Sequence, residues 1–515
     1  MERGSEPAAR AYSGGTVLDS RSARMPATKP SVVVVGAGFG GLGVAIELQR
    51  NGFDDITILE RAGDLGGVWR ENTYPGAACD VPSPLYSFSY EPKPDWPHRY
   101  SGQTEILGYL HAVATKHRLL ERIRFGADVT EASFDERTGR WTIRTADGEI
   151  RSADVLICAV GQLSRPRMPD IAGIETFTGP SFHSAQWEHD VDLAGKRVAV
   201  IGTGASAIQF VPAIAPEVAR LTLFQRTAAW VVRRTDREYR PIHHALFEHV
   251  PGLRLAQRLW VWCFLEFFSL GLTTIPAIRR IATWLGTRAL RHDVPDPHLR
   301  AKLTPDYPVL CKRVLFSNEY YPALMRPNVD VVTEPIAEVV SEGVRTADGT
   351  VYPADVIVYG TGFKGSEFLW PIRIFGREGA ELEKVWAEGA RAYLGMTVPE
   401  FPNLFLMYGP NTNLGTGSII YMIECQARYI RQAVAYLSEH PGSCLEVKPE
   451  TAAAFDAHTQ RRLLRTPWTA CSSWYRNAAG RITNNWPGTV TAYRVRTRSL
   501  NPDDYVLRAP EPVRT

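Results

Sequence analysis

The hydrophobic pattern opens with an unbroken apolar run, Val32-Val33-Val34-Val35, followed at once by a glycine-rich stretch, Gly36-Ala37-Gly38-Phe39-Gly40-Gly41. Short apolar runs bounded by turn residues mark strands buried on both faces of a parallel sheet. A helical pattern then predicts an amphipathic helix from Leu42 to Arg50, and a second strand, Ile56-Thr57-Ile58-Leu59, ends on Glu60. The same order returns later: a strand from Arg197 to Ile201, the turn Gly202-Thr203-Gly204-Ala205-Ser206-Ala207, a helix, and a strand from Leu221 to Phe224.

Two strand–turn–helix–strand units of this kind predict an α/β protein with two Rossmann-like dinucleotide-binding domains. Between them, Gly63 to Tyr90 reads as loop, Glu105 to Leu120 as helix, and Arg140 to Thr145 as part of an antiparallel excursion closing on a strand within Ala153–Gly161. The stretch from Gln162 to Gly179 is rich in Pro and Gly and is expected to link domains. Further strands are expected near Val329–Val332, Tyr352–Gly360 and Phe401–Met407. The division this suggests is a disordered tail over 1–30, a first dinucleotide domain over 31–170, a second over 180–385, and a return to the first over 386–515. A helical insert occupies about 240–300 of the second domain.

Within the insert, Leu259 to Leu272 is strongly apolar. A membrane-crossing helix needs about 20 apolar residues. This run carries Glu266 in its middle and Pro276 soon after, so no transmembrane helix is expected. A helix packed on the core or shielding a channel is the expectation, with peripheral membrane contact open.

Composition adds exclusions. The 515 residues, 44% hydrophobic and 22% charged, suit a globular chain of roughly three domains. A net charge of +3 argues against a dedicated nucleic-acid binder. The seven cysteines (79, 158, 263, 311, 425, 444, 471) are scattered without CxxC or Cys/His clusters, so reduced thiols, a cytoplasmic location and no metal site are expected. The N-terminus lacks the apolar segment of a secretory signal.

In the first unit, glycines permit a tight turn and close approach to a pyrophosphate, and Glu60 is placed to accept from ribose hydroxyls. The second unit ends its strand on Gln225-Arg226-Thr227 with no acid. A carboxylate there would select NAD, whereas an arginine can pair with a 2′-phosphate. On position alone, Arg226 is also readable as a solvated surface residue.

Just before the second unit lies Phe177-x-Gly179-x-x-x-His183-x-x-x-Trp187. This string, flanked by two glycine fingerprints, resembles the signature of type I Baeyer–Villiger monooxygenases, within the class B flavoprotein monooxygenases. The similarity extends over about residues 30–500. It implies FAD on the first unit, NADPH on the second, O2 as co-substrate, and oxygen insertion beside the carbonyl of a hydrophobic ketone to give an ester or lactone through a C4a-peroxyflavin. It also implies roles for individual residues. Asp80, in Cys79-Asp80, matches the active-site aspartate, and Arg313, in Cys311-Lys312-Arg313, matches the arginine beside the flavin. Lys312 joins Arg226 and Thr227 around the 2′-phosphate, and Trp474 closes over the nicotinamide. Gly36, Gly38, Gly41, Glu60, Trp69, Asp80, Val129, Gly202, Gly204 and Ser206 complete the expected cofactor contacts. His183 and Trp187 are read as structural.

The chain departs from the family pattern at Glu188, where Pro or Asp is usual, at Thr416, often His, and at Tyr359, usually Ala. An N- or S-oxygenating monooxygenase is the alternative reading. A flavin disulfide reductase needs a closely spaced redox cysteine pair that the sequence lacks, and a non-enzymatic flavin binder fits poorly with intact Asp80, Lys312 and Arg313.

Overall fold

The computed structural model describes residues 29–509, apart from 478 and the side chain of 272. The tail expected to be disordered lies outside the described residues, except for residues 29 and 30.

The apolar run Val32–Val35 is the central strand of a five-stranded parallel sheet. Ile56–Glu60 and then Ile123–Phe125 lie on one side of it. Val155–Cys158 and then Leu404–Leu406 lie on the other. The last of these strands comes from far along the chain, so the C-terminal portion completes the first sheet. Helix Phe39–Arg50 begins three residues earlier than its pattern suggests and is buried along most of its length. It packs beside the long helix Ile419–Glu439, whose Ile423 would touch a side chain placed at Gly43. A four-stranded layer carries the antiparallel excursion, Val129–Asp135, Arg140–Thr145 and Ile150–Ala153, with Arg373–Phe375 added in parallel. Trp141 is fully buried there and donates to the Pro402 carbonyl at 2.9 Å.

The second parallel sheet has the order Val329–Val332, Arg220–Phe224, Arg197–Ile201, Val356–Tyr359, Ser181–His183. In both sheets the strand before the glycine turn is central, with neighbours laid down on either side. The crevice at the carboxyl end of such a strand is where open α/β sheets bind ligands.

Helices Pro241–His249, Leu253–Thr274, Pro276–Asp293 and Pro297–Lys302 form the insert. Among the described residues no single helix is long and apolar enough to cross a membrane; Leu253–Gly271 and Pro276–Asp293 qualify only as a pair, bent by 106°. The expected packing on the core holds for one stripe of helix Leu253–Thr274, where Val261 is buried and Trp262 sits edge-on to Tyr421 at 4.6 Å. The expectation fails for the rest of the apolar run, because Arg258 and Glu266 take the inward side. Arg258 donates to the Pro84 carbonyl at 2.6 Å and the Ser87 carbonyl at 3.1 Å, and Glu266 accepts from the backbone N–H of Val490 and Thr491 at 2.9 and 3.0 Å.

The cysteine expectation is also corrected. Cys311 and Cys471 form a disulfide, while Cys79, Cys158, Cys263, Cys425 and Cys444 are free. The two partners are 160 residues apart in sequence, and only folding brings their Cα atoms to 5.9 Å. Among the described residues no cluster of His, Cys, Asp and Glu suits a metal ion.

Candidate active site

At Gly36 the chain turns out of its strand with φ of +102°, a conformation side chains rarely adopt, and a Cβ there would meet the Ala159 carbonyl at 2.7 Å. Gly41 is required by packing instead, since its Cβ would run into the Gly36 carbonyl at 1.8 Å. Gly202 repeats the Gly36 geometry in the second sheet, with φ of +108°, and a Cβ there would lie 2.5 Å from the Gly360 carbonyl. Gly204 lies on the open side of that turn, where the nearest atom to a Cβ is the Gly360 carbonyl at 3.7 Å.

A cavity of about 410 Å³ runs from the first glycine turn toward the second sheet. Gly36, Gly38, Glu60, Trp69, Asp80, Val129, Ser206 and Arg313 all line it. Glu60 is buried at the end of its strand, where its carboxylate accepts from the Ala37 N–H at 2.8 Å and the Ala62 N–H at 3.0 Å. It therefore braces the glycine turn as well as facing the cavity. The Trp69 indole N–H donates to the Tyr86 hydroxyl at 3.1 Å, which fixes the ring in the wall.

Arg313 and Asp80, 233 residues apart in sequence, meet in a 2.5 Å ion pair on this wall. The Asp80 charge holds the guanidinium pKa well above its ordinary value, against the opposing effect of burial. About two-fifths of the arginine side chain remains accessible from the cavity, so the group is surrounded by protein yet open toward a ligand. Burial raises the Tyr475 phenol to about 12 and pushes Tyr408 up as well, so both neighbours of the pair stay neutral.

Sequence reading missed what positions Asp80. Gln209, on helix Ala207–Ile214, accepts from the Tyr74 hydroxyl at 2.9 Å and donates to the Ala78 carbonyl at 2.9 Å. The loop carrying Asp80 is thus tied to the second dinucleotide unit. No sequence signal marks a glutamine for this, because its partners lie 131 and 135 positions away.

The remaining expected residues gather at the second sheet. Arg226 is exposed just past the end of its strand, and the Thr203 hydroxyl donates to the Thr227 carbonyl at 3.1 Å. Lys312 sits over the Tyr307 ring at 4.7 Å, and its pKa is lowered by burial and then by repulsion from Arg226. Two cations held close enough to repel form a ready receptor for a dianion. Trp474 does not line the cavity; it lies against Gly365 and Tyr475, three positions after the disulfide-bonded Cys471. The bridge therefore couples Lys312 and Arg313 to the segment carrying Trp474.

The signature string lies behind the site. Phe177 packs with the buried face of the second sheet, and a Cβ at Gly179 would strike the Asp355 carbonyl at 2.5 Å. His183 is buried and outside the cavity lining; its Nδ1 accepts from the Ala185 N–H at 3.1 Å, and burial lowers its pKa. Its ring stands edge-on to Phe363, a cavity residue, at 5.9 Å. Trp187 packs on Phe182 and Phe210.

Two parallel sheets, each with a glycine turn at its central strand, facing one cleft with an ion pair on its wall, define an α/β oxidoreductase of the two-dinucleotide class. The chain belongs to the flavin-binding monooxygenase-like family, whose model matches residues 29–443. It is 45% identical to a Baeyer–Villiger monooxygenase of Streptomyces coelicolor, the match covering 93% of both chains. Among solved structures it is similar to cyclohexanone monooxygenase from Rhodococcus sp. Phi1 bound to NADP+, with a TM-score of 0.84 and 30% identity over 93% of this chain and 99% of that one. It is similar also to the OTEMO complex with FAD and NADP, with a TM-score of 0.83 and 28% identity over 93% and 100% of the two chains.

Proposed function

We propose that this protein is a Baeyer–Villiger monooxygenase that binds FAD in the cavity below Gly36 and NADPH at the second glycine turn, and inserts one oxygen atom from O2 beside a ketone carbonyl. The Asp80–Arg313 pair, opening on a cavity shared by both dinucleotide units, is the observation that carries this reading. The cavity suits an elongated dinucleotide: it begins at a glycine turn and helix N-terminus, passes Glu60, and ends against Arg313. FAD would rest on Gly36, Gly38, Glu60, Trp69 and Val129, with the 2′-phosphate of NADPH on Arg226, Thr227 and Lys312. The domain division follows, with 31–170 and 386–515 serving FAD and 180–385 serving NADPH.

Once bound, the flavin activates oxygen at the expense of hydride from NADPH. The protein's part is charge and placement. Arg313 cannot lose its proton at any working pH, so it offers a permanent positive field for negative charge developing on oxygen during attack on the carbonyl. Asp80 anchors the guanidinium through its Nη2. Gln209 fixes the Asp80 loop, and the disulfide fixes Arg313 from the other side.

Incubation of the FAD-loaded protein with NADPH and a panel of ketones, amines and sulfides tests the proposal. Esters or lactones from ketones, lost in Arg313→Ala, are expected. Oxygenation confined to nitrogen and sulfur, undiminished in Arg313→Ala, would assign the protein to heteroatom chemistry instead.

A further inference from the structure

Helix Leu253–Thr274 is amphipathic in the inverted sense. Two of its three charged residues, Arg258 and Glu266, point into the protein, where backbone groups satisfy them. Its outer face carries Leu255, Leu259, Trp260, Phe264, Phe267 and Leu270, with Trp260 60% and Phe267 73% exposed. Trp260, Phe264 and Phe268 stack in a row along that face, with ring centroids 5.8 and 6.0 Å apart. The next helix, Pro276–Asp293, continues the surface with Ile281, Trp284 and Leu285 at i, i+3 and i+4. An apolar surface this extensive on the outside of a folded protein marks an interaction site.

The charges around it select the partner. The two helices, residues 253–293, contain six arginines and two acids, of which Glu266 is turned inward and Asp293 is paired with Arg233. Arg254, Arg280, Arg288 and Arg291 are exposed and, among the described residues, have no carboxylate within ion-pair distance; Arg288 lies 5.7 Å from the Trp284 ring centre. A second copy docking symmetrically would bring this basic surface against itself. An anionic bilayer complements it on both counts, because phosphate headgroups meet the arginines while Trp and Phe enter the headgroup–acyl boundary.

We infer that the outer faces of helices Leu253–Thr274 and Pro276–Asp293 form a docking surface for an anionic lipid bilayer, on which the protein lies without crossing it. The 106° bend between the two helices suits a surface-lying element better than a straight span. Through Trp262 and Tyr421 the inner side of the first helix rests on helix Ile419–Glu439, whose N-terminal end lines the cavity with Ile419, Ile420 and Ile423. Docking here would set the cavity wall one helix away from the lipid.

The test is flotation of the full FAD-loaded chain with vesicles of phosphatidylcholine alone or mixed with phosphatidylglycerol, at low and high salt, alongside light scattering without lipid. We expect flotation with the anionic vesicles, reversal by salt, and little binding to the neutral ones. Taking about fivefold per basic residue, Arg280→Gln with Arg288→Gln lowers vesicle affinity about 25-fold. Trp260→Ser with Phe267→Ser abolishes flotation while flavin content stays that of the parent, since both side chains are solvent-facing. Two results overturn the inference: absence of flotation with either vesicle, or a dimer by light scattering that the Trp260→Ser, Phe267→Ser variant dissociates, which would make a second copy the occupant.

Discussion

Replacing Cys471 by serine opens the Cys311–Cys471 bridge without touching the cavity lining. The bridge joins residues 160 apart, and for a closed loop of that size the chain-entropy relation gives about 5 kcal/mol of denatured-state destabilisation. Removal of native bridges costs roughly 2–5 kcal/mol in practice, because denatured chains keep residual structure. With about 2.1 cal/mol/K of unfolding entropy per residue over a chain of this length, each kcal/mol is worth about 1 °C, so Tm should fall by about 2–5 °C. Dithiothreitol donates two electrons and two protons to the bridge, leaving two thiols and an oxidised dithiol, so it should lower the parent to the variant's Tm and leave the variant unmoved. A functional consequence accompanies this: Lys312 and Arg313 directly follow Cys311, so the KM for NADPH should rise in Cys471→Ser. Thermal unfolding, NADPH kinetics and mass mapping after thiol alkylation read these effects, with exposed Cys263 as the internal labelling control. Alkylation of both Cys311 and Cys471 in the native protein without reductant, or equal Tm values for parent and variant, would refute the reasoning.

Arg313→Ala should cut ester formation by about 10²–10³-fold, the loss typical of removing one group that stabilises developing oxyanion charge. NADPH oxidation should fall less, so the ratio of ester formed to NADPH consumed is the measurement that isolates the effect. Lys312 has a pKa below its ordinary 10.5, from burial and then the Arg226 charge, and a bound 2′-phosphate would favour its charged form. NADPH affinity should therefore be full below the free lysine's pKa and weaken as pH rises through it; steady-state KM against pH should show this alkaline limb, and Lys312→Arg should remove it. Asp355 is held down to about 2 by hydrogen bonds from Arg197, side chain first and then backbone, across adjacent strands of the second sheet. Its folded value lies below the ordinary 3.8, so the stabilisation is present above that value and is lost as pH falls toward about 2. Asp355→Asn should accordingly lower Tm at neutral pH and match the parent near pH 2, as followed by circular dichroism.

The sequence by itself determined the two dinucleotide units and their order. The backbone conformations at Gly36 and Gly202 and the apolar runs before them are local properties, decided within a few residues. Arg226 at a strand end was legible for the same reason, and Asp80 and Arg313 were legible through their resemblance to a family pattern. Tertiary structure alone decided that Asp80 and Arg313 touch, that Gln209 ties the Asp80 loop to the second unit, and that two of seven scattered cysteines pair. Spacing carries no information on contacts across more than a hundred residues; these depend on how the sheets face each other. Helix Leu253–Thr274 shows the limit most clearly. Its periodicity marks an apolar face, and apolar faces ordinarily turn inward. Which face turns inward was settled here by partners supplied from elsewhere in the chain: the carbonyls of Pro84 and Ser87 for Arg258, and the amides of Val490 and Thr491 for Glu266. Burying a charge is costly unless it is hydrogen-bonded, and once those groups were satisfied inside, the aromatic residues were left facing out.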